Sequence, residues 1–339
     1  MKNTKSDNKI FIAIPRLANT GGNIISVYLS EILISKGYEV IALTGFSQKN
    51  LNLNKLKLKN HKKTKLNSIL NYISYISISV NFIFIRSKRI ATHHLTCLFN
   101  FLRPCEYNFV QDLELSFYPD KLKNIGNMLW KNYLKSEKII FTNHILAKKC
   151  GYDILDIGFP FITDTEFHYY KYQQKNYDAL IILRDGAYKA PQETLELFEK
   201  LKNKKKIIMI NNSKINNNLT NGDNNSLILG TMSRKDFLAT LCKSHYYICL
   251  SKWEGLGLPI IEAYLAGLNV ISTPIPSAII INNYQKNPNE IFIVNSNEEI
   301  DISLMEVFEK DQREKTSTER QEVIKQINKK WVTYINELF

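Results

Sequence analysis

The chain has 339 residues, of which 44% are hydrophobic and 23% charged, and its formal net charge is +13. This composition is that of a folded globular protein and excludes intrinsic disorder, while the length exceeds one ordinary core and predicts two domains of about 150 residues each. The five cysteines show no C-x-x-C spacing, so neither a disulfide framework nor a zinc site is predicted.

The positive charge is concentrated in the first half of the chain. Residues 1–157 carry 23 Lys and Arg against 10 Asp and Glu, a balance of +13, whereas residues 158–339 carry 22 of each. Much of the excess lies in KLKLKNHKKTK at 55–65. Such a run is usually a solvated loop, but one-sided charge also attracts an anionic membrane surface, a lipid-diphosphate acceptor or nucleic acid.

The first elements form a strand, a loop, a helix and a second strand. IFIAI at 10–14 is of strand length and too short for a secretory signal, and EVIAL at 39–43 follows a helical stretch at 23–36. This order predicts a parallel β-loop-α-β unit, with Gly21 and Gly22 in the loop. The glycine pair alone is equally compatible with an ordinary tight turn.

Residues 66–85 are the one membrane-like stretch, since they carry no charge over 20 residues. Serines and asparagines interrupt the stretch, and Ile69, Leu70, Ile73 and Ile76 recur at helical spacing. We therefore predict an amphipathic or buried helix that leads into a strand, and not a membrane span.

Polar side chains follow the next two predicted strands. KRIAT at 88–92 leads into His93 and His94, and EYNFVQ at 106–111 leads into Asp112. A histidine at a strand end is often a packed or capping residue, and an aspartate there often caps the next helix. A strand and a helix over 137–150 complete the first domain before the linker IGFP at 157–160.

The second domain is predicted to begin near Asp178 with the strand ALIIL. Arg184 and Lys189 follow its carboxyl end, where they form either a cation pair for an anionic ligand or a solvated basic loop. Strands are also predicted at 206–210 and at 226–230, just before Thr231. Helices are predicted at 301–310 and 316–339.

The most informative stretch is YYICLSKWEGLGLPIIEAYLAGLNVISTP at 246–274. Two strand-length runs enclose a helix that Pro259 opens and Gly267 closes. Open α/β sheets bind ligands at the loop before such a helix, where glycines admit a ligand to the backbone and free N–H groups favour an anion. We expect Glu262 in the first helical turn, reaching back towards Glu254. The alternative is that Glu262 only complements the helix dipole and that Glu254 is a solvated acid.

EGLGLPIIEA, with Glu254 and Glu262 as its two acids, closely resembles the E-x7-E signature of the retaining glycosyltransferases of family 4, the group 1 type. The Gly21-Gly22 unit and the R-x4-K spacing of Arg184 and Lys189 are similar to further motifs of that family. VQD-x-E-x-x-FYP at 110–119 is similar to some bacterial polysaccharide rhamnosyltransferases. One departure is that Leu183 and Ala190 stand where the family usually has glycine.

The resemblance implies roles for the residues of the second domain. Glu254 would face the donor sugar, and Glu262 would hold the ribose hydroxyls. Arg184 and Lys189 would clamp the donor diphosphate. The backbone around the loop would face the sugar and the distal phosphate, through Gly255, Leu256, Gly257 and Leu258.

The resemblance also implies roles for residues outside that loop. Gly21 and Gly22 would lie against the donor phosphates, and Thr231 would line the base pocket. His93 or His94 would face the sugar, with nothing in the sequence to choose between them. Asp112 would border the acceptor pocket.

We therefore predict an α/β protein of GT-B type, with two Rossmann-like doubly wound domains that face a central cleft. The acceptor domain is expected at 1–157, the nucleotide-sugar donor domain at 158–315, and a helix at 316–339 that returns to the first domain. The expected reaction is retaining transfer of a sugar from a nucleotide-diphosphate donor to a bacterial surface glycan or lipid-linked acceptor, in the cytoplasm or at the inner face of the plasma membrane. The family needs no metal or other cofactor, in agreement with the lack of a D-x-D sequence in the first domain.

Two other functions remain open. A nucleotide-sugar epimerase on the same fold would form product without an acceptor, and a non-catalytic protein would only bind the glycan or nucleotide. Nucleic acid is not an expected partner, because the second half is neutral and no binding module is recognised. The donor, the acceptor and the linkage depend on a few side chains and on pocket shape, so the sequence leaves them undetermined.

Overall fold

The computed structural model describes residues 8–15, 20–45, 47–51, 65–161, 174–214, 226–285, 290–296, 298–300 and 317–339. Contacts divide the chain into two compact units, one of Met1–Ile162 with Lys330–Phe339 and one of Thr163–Lys329. The basic run up to residue 64, the asparagine-rich stretch at 215–225 and the predicted helix at 301–310 lie outside the described residues.

The described part of the first unit is a parallel sheet with helices. Its strands are β1 Lys9–Ala13, β2 Glu39–Leu43, β3 Gln48–Asn50, β4 Lys88–Ala91, β5 Tyr107–Val110 and β6 Lys138–Phe141. Its helices are α1 Gly21–Ser35, α2 Lys65–Phe84, α3 Lys123–Tyr133 and α4 His144–Lys149. The strand order is β3-β2-β1-β4-β5-β6, and only β3 runs antiparallel to its neighbour.

The described part of the second unit repeats this design. Its strands are β7 Tyr177–Leu183, β8 Ile207–Asn211, β9 Leu227–Leu229, β10 Ser244–Cys249, β11 Asn269–Ser272 and β12 Ile291–Ile293. Its helices are α5 Pro191–Leu201, α6 Arg234–Leu241, α7 Leu258–Leu265, α8 Pro276–Tyr284 and the first part of α9 Ser317–Leu338. The order β12-β11-β10-β7-β8-β9 is parallel throughout, so counting strands within each unit gives the same order in both. The predicted α/β class with two doubly wound sheets is confirmed.

The central strands form the cores because both faces of each parallel sheet are covered. Ile10 and Ile12 of β1 and Leu180 of β7 are fully buried, and the apolar runs of the sequence account for them. In each sheet the strand order reverses direction once, between β1 and β4 in the first and between β7 and β10 in the second. Ligands of such sheets bind at the carboxyl ends of the two strands that flank the reversal.

The glycine pair lies in a different place from the one predicted. Gly21 and Gly22 are the first two residues of α1 and not part of a loop, because Thr20 caps the helix and its side chain accepts a hydrogen bond from Asn23 N at 3.4 Å. A Cβ atom at Gly22 would lie 2.9 Å from Gln111 Oε1. The pair therefore allows close approach of the α1 terminus to the residue that follows β5.

Helix α9 contributes to both units. In its first part Arg320 donates to the backbone oxygens of Tyr264 and Leu268 at 3.0 and 2.7 Å and pairs with Glu290 at 3.0 Å. In its last part Trp331 is fully buried and donates from Nε1 to Phe141 O at 2.9 Å. One continuous helix thus completes the packing of the second unit and then of the first.

The uncharged stretch forms the predicted helix, α2, which precedes β4. Among the described helices, none is both long enough and apolar enough to cross a bilayer.

Candidate functional site

The strand ends of the second unit bring three predicted residues together. Arg184 directly follows β7, and Glu254 lies in the loop after β10, at the point where the strand order reverses. Arg184 pairs with Glu254, and Lys189 Nζ lies 2.8 Å from the other carboxylate oxygen. Ser251 Oγ donates a further hydrogen bond to Glu254 at 2.9 Å. One carboxylate therefore joins both predicted cations.

The charges of this cluster do not cancel. Glu254 is buried, and burial by itself would raise the pKa of its carboxyl, but Arg184 and Lys189 outweigh that effect and hold the pKa below the usual range. Two cations and one carboxylate leave one net positive charge. Arg184 Nε is buried and has no hydrogen-bond acceptor among the described residues. The cluster can therefore accept an anion without losing its internal pairing.

Backbone hydrogen bonds fix the two loops that carry the cluster. Tyr188 O, between Arg184 and Lys189, accepts from Lys252 N at 2.8 Å and from Trp253 N at 3.3 Å. Thr273 Oγ1, at the end of β11, donates to Ser251 O at 2.5 Å. These bonds hold the cations and the carboxylate in place before any ligand binds.

A tight glycine turn leads from Glu254 into α7. Gly257 has a φ of +81°, and an added Cβ would meet Ser277 Oγ at 2.8 Å and Ile275 Cδ1 at 2.9 Å. Both the backbone conformation and the close packing therefore require glycine. Gly255 and Leu256 are buried in this turn, and Leu258 begins the helix with Pro259 second. Pro259 has no N–H and Ile260 N already donates to Gly257 O at 3.0 Å, so this helix start favours an anion mainly through the positive end of the helix dipole.

Glu262 occupies a different position from the one expected. Because α7 begins at Leu258, Glu262 lies in the second turn and not the first. Its buried carboxylate pairs with Arg234 Nη1 at 2.5 Å. Arg234 is the first residue of α6, which Ser233 caps by accepting from Asp236 N at 3.1 Å. Sequence reasoning missed Arg234, because nothing local links it to a residue 28 positions away.

Thr231 lies exposed between β9 and the capped start of α6. It follows the outermost strand of the sheet, so the structure brings it near the start of the helix that carries Arg234, and not into the cluster around Glu254.

In the first unit, the two histidines follow β4 where that strand order reverses. Thr92 Oγ1 joins the flanking strands by donating to Ala13 O at 2.7 Å. His94 is buried, and Glu114 accepts hydrogen bonds from its backbone N–H, at 2.8 Å, and from its Nδ1. The other ring nitrogen then accepts from Tyr118 OH at 2.5 Å. Both ring nitrogens of His94 are thus engaged.

His93 is held differently. Its ring stacks between Tyr75, with centroids 4.6 Å apart, and His94, at 4.4 Å. Nδ1 accepts from Leu95 N at 3.1 Å, so the neutral ring carries its proton on Nε2, which lies 3.8 Å from Glu114 Oε1. Burial lowers the pKa of His93 to about 4, although Glu114 acts in the opposite direction. At neutral pH His93 therefore offers an N–H donor that is beyond hydrogen-bond distance of Glu114.

The two histidines and Glu114 place their ligand atoms within 4.8 Å of one another. Their hydrogen bonds nevertheless do not suit a metal ion. His94 uses both ring nitrogens, and His93 keeps its proton on Nε2 because Nδ1 already accepts. A metal requires deprotonated nitrogen lone pairs, so the donor set fits a hydrogen-bonded network.

The carboxylate of Asp112 accepts a hydrogen bond from Leu113 N at 2.8 Å. Glu114, two residues further on, is an acid that the structure places against both histidines. Burial would raise the pKa of Glu114, but His93 and His94 hold it below the usual range. Glu114 and Tyr118 both lie in the VQD-x-E-x-x-FYP stretch, and this motif was the sequence feature that could have identified them as site residues.

Comparisons with known proteins agree with this architecture. The sucrose-phosphate synthase of Thermosynechococcus elongatus superposes with a TM-score of 0.58 and 12% identity over 98% of this chain and 95% of its own. WaaG, a glycosyltransferase involved in lipopolysaccharide biosynthesis, gives 0.57 and 13% over 96% and 95%. Anabaena Alr3699/HepE in complex with UDP-glucose gives 0.59 and 11% over 97% of both chains. No curated protein sequence matches the chain.

These similarities and the paired sheets define the GT-B fold of glycosyltransferases, as predicted. Residues 164–331 match the family described as Glycosyl transferases group 1. The matched residues coincide with the second unit and include the whole cluster around Glu254. The second unit therefore matches the group 1 glycosyl transferases, and the chain as a whole has the GT-B fold of such enzymes.

Proposed function

We propose that the protein transfers a sugar from a nucleotide-diphosphate donor with retention at the anomeric carbon. The observation that carries the proposal is the pairing of Glu254 with Arg184 and Lys189, next to the amino end of α7. A diphosphate leaving group gains negative charge as its bond to the sugar breaks, and fixed cations stabilise that charge. The net positive charge of the cluster suits this task.

In this proposal Glu254 orients the donor sugar while it holds the two cations that face the diphosphate. The Gly255-to-Leu258 turn, at the positive end of the α7 dipole, receives the distal phosphate. Glu262 accepts the ribose hydroxyls, and Arg234 holds its carboxylate in place at 2.5 Å. Thr231 lies near the base. UDP-glucose is the first donor to test, because the similar Anabaena protein binds it.

For the first unit we propose that His93, and not His94, contacts substrate. His93 offers Nε2–H, whereas His94 already uses both ring nitrogens on Glu114 and Tyr118. Gly21 and Gly22 contribute the N–H groups of the α1 terminus to a phosphate. Asp112 remains a predicted acceptor contact. His93→Ala should lower turnover under conditions where the variant is still folded, while His94→Ala, which loses both ring hydrogen bonds, should lower the melting temperature more.

The acceptor in this proposal is a bacterial surface glycan or a lipid-linked oligosaccharide, supported by the similarity to a lipopolysaccharide enzyme. The protein would act at the inner face of the plasma membrane, supported by the +13 balance of residues 1–157. The reaction needs no metal in this scheme. Activity that survives chelation and washing would support a reaction without a metal. Assignment of the product anomer by NMR would test the proposed retention.

Thermal shifts with UDP, GDP, dTDP and CMP test the donor site. A ligand at about 100 times its Kd should stabilise the fold by roughly 2.7 kcal/mol, which raises the melting temperature visibly. Lys189→Ala should weaken diphosphate binding by about tenfold or more, since a charged hydrogen bond is lost. Lys252→Ala is the matched control, because Lys252 lies on the neighbouring loop that carries Glu254 but pairs with Glu193. Equal affinity in both variants, or no shift with any nucleotide, would contradict the proposal, and product without acceptor would indicate an epimerase.

A further inference from the structure

Helix α2 exposes an apolar face to solvent. Seven of its large apolar residues are between 39% and 76% exposed. At 100° per residue all seven fall within one sector of the helix, so they form a continuous stripe along its length. We call this stripe the α2 face, and it consists of Leu66, Ile69, Tyr72, Ile73, Ile76, Val80 and Phe84.

The opposite side of α2 already satisfies the needs of folding. Ser74, Ile78 and Phe82 recur every four residues and are buried. Ser77 Oγ donates to Gly45 O at 2.6 Å, which fixes the helix on the turn after β2. The inward side contains serines, while the outward side is almost wholly apolar, the reverse of an ordinary surface helix. The α2 face therefore is not explained by packing within the first unit.

The charge around the α2 face has a single sign. Residues 40–105 contain 11 Lys and Arg and no Asp or Glu. Six of these lysines lie at 55–65, immediately before the face, and the exposed Arg86 follows it. No charge interrupts the stripe between these basic ends. An apolar stripe with cations at both ends is complementary to anionic lipid, whose headgroups lie beside its hydrocarbon.

We propose that the α2 face inserts into the surface of an anionic phospholipid bilayer, with the helix lying in the plane of the interface. The apolar side chains enter the boundary between headgroups and acyl chains, and the excess of lysine and arginine in this part of the sequence adds attraction to the anionic headgroups. A second copy of the chain is the less suitable occupant, because two such faces would bring two sets of uncompensated cations together. This inference deepens the proposed membrane location and does not depend on the identity of the sugar or nucleotide.

Binding to vesicles of phosphatidylcholine with about a third phosphatidylglycerol tests the inference, with pure phosphatidylcholine as reference. The triple variant Ile69→Gln, Ile73→Gln and Ile76→Gln should bind at least about 100-fold more weakly than wild type, since three apolar contacts with hydrocarbon are lost. Its melting temperature should not change, because the replaced side chains face solvent. Leu155→Gln replaces an exposed leucine elsewhere in the first unit and should bind as wild type does.

Two further measurements separate insertion from attraction by charge alone. Ile76→Trp should show a blue-shifted emission and quenching by brominated lipid, whereas Asn81→Trp, at the polar edge of the helix, should show less of both. If the triple variant bound as well as wild type and high salt released both, charge alone would hold the protein on the membrane. That result would contradict insertion of the α2 face but not the proposed membrane location. If the double variant Ile125→Gln and Met128→Gln on α3 lost binding and the triple variant did not, α3 and not α2 would be the helix that inserts. A dimer that the triple variant abolishes would identify a second copy as the occupant.

Discussion

Arg234 and Glu262 form an ion pair of unequal partners. The pair joins the first residue of α6 to the second turn of α7 at 2.5 Å. The Glu262 side chain is 4% exposed, whereas that of Arg234 is 27% exposed. Removal of Arg234 leaves a buried carboxylate without this partner, whereas removal of Glu262 leaves a guanidinium that can reach water.

We therefore expect Arg234→Ala to destabilise the protein more than Glu262→Ala, by about 1–3 kcal/mol, because the buried carboxylate loses its charged partner. Urea unfolding of both variants and of the double variant measures the difference. The double variant should resemble Glu262→Ala, because no stranded carboxylate remains. Equal losses in the two single variants would show that burial does not decide the outcome.

The depressed pKa of His93 predicts a pH-dependent stability. Burial lowers the pKa from its usual 6.5 to about 4, so the unfolded chain binds a proton before the folded one does. Stability should therefore be complete above pH 6.5 and should fall as the pH decreases towards 4. His93→Gln should remove this pH dependence. The difference in the free energy of unfolding between wild type and variant should then change with pH only between about 4 and 6.5. An NMR titration midpoint of the His93 ring near 6.5 would contradict the prediction.

Gly45 is predicted to be irreplaceable. Its φ is +81°, and a Cβ atom would lie 2.6 Å from the Cα of Ser74 on α2. Gly45→Ala should cost the backbone strain of about 1–2 kcal/mol and a further 1–3 kcal/mol for the clash. Gly37→Ala is the matched control, since Gly37 has a φ of +89° with no atom within 4 Å of its added Cβ. Chemical unfolding should give a clearly larger loss at Gly45, and similar losses would mean that α2 can shift away.

Ala190 is the one described residue other than glycine with a positive φ, at 48°. It stands where the related glycosyltransferases usually have glycine, directly before Pro191. Relief of strain worth about 1–2 kcal/mol should offset the methyl group lost in Ala190→Gly, so stability should change by less than about 0.5 kcal/mol. Ala263→Gly, at a buried position inside α7, should cost about 1 kcal/mol or more. Equal losses at the two positions would show that Ala190 is not strained.

The sequence predicted what depends on local pattern. Apolar runs located the buried strands, and Pro259 with Gly267 bounded α7 to within two residues. It failed where a boundary depended on a single cap, because Thr20 extends α1 over the glycine pair. It also failed for partners far apart in the chain, since only the folded sheet brings Arg234 to Glu262 and Glu114 to His94. The charges of the strand-end cluster were predicted, but its internal pairing through Glu254 was not.

The division of α9 between the two units has a consequence for biosynthesis. Trp331 and Ile335, both fully buried, belong to the first unit but follow the entire second unit in the chain. Protein domains usually fold in the order in which the ribosome delivers them. Here the first unit lacks Trp331 and Ile335 until residues 330–339 have emerged, so its core stays incomplete while the second unit is being synthesised. The first unit is thus the first to be synthesised and the last to finish folding. Its incomplete core is the part of the nascent chain for which we expect chaperones to matter most.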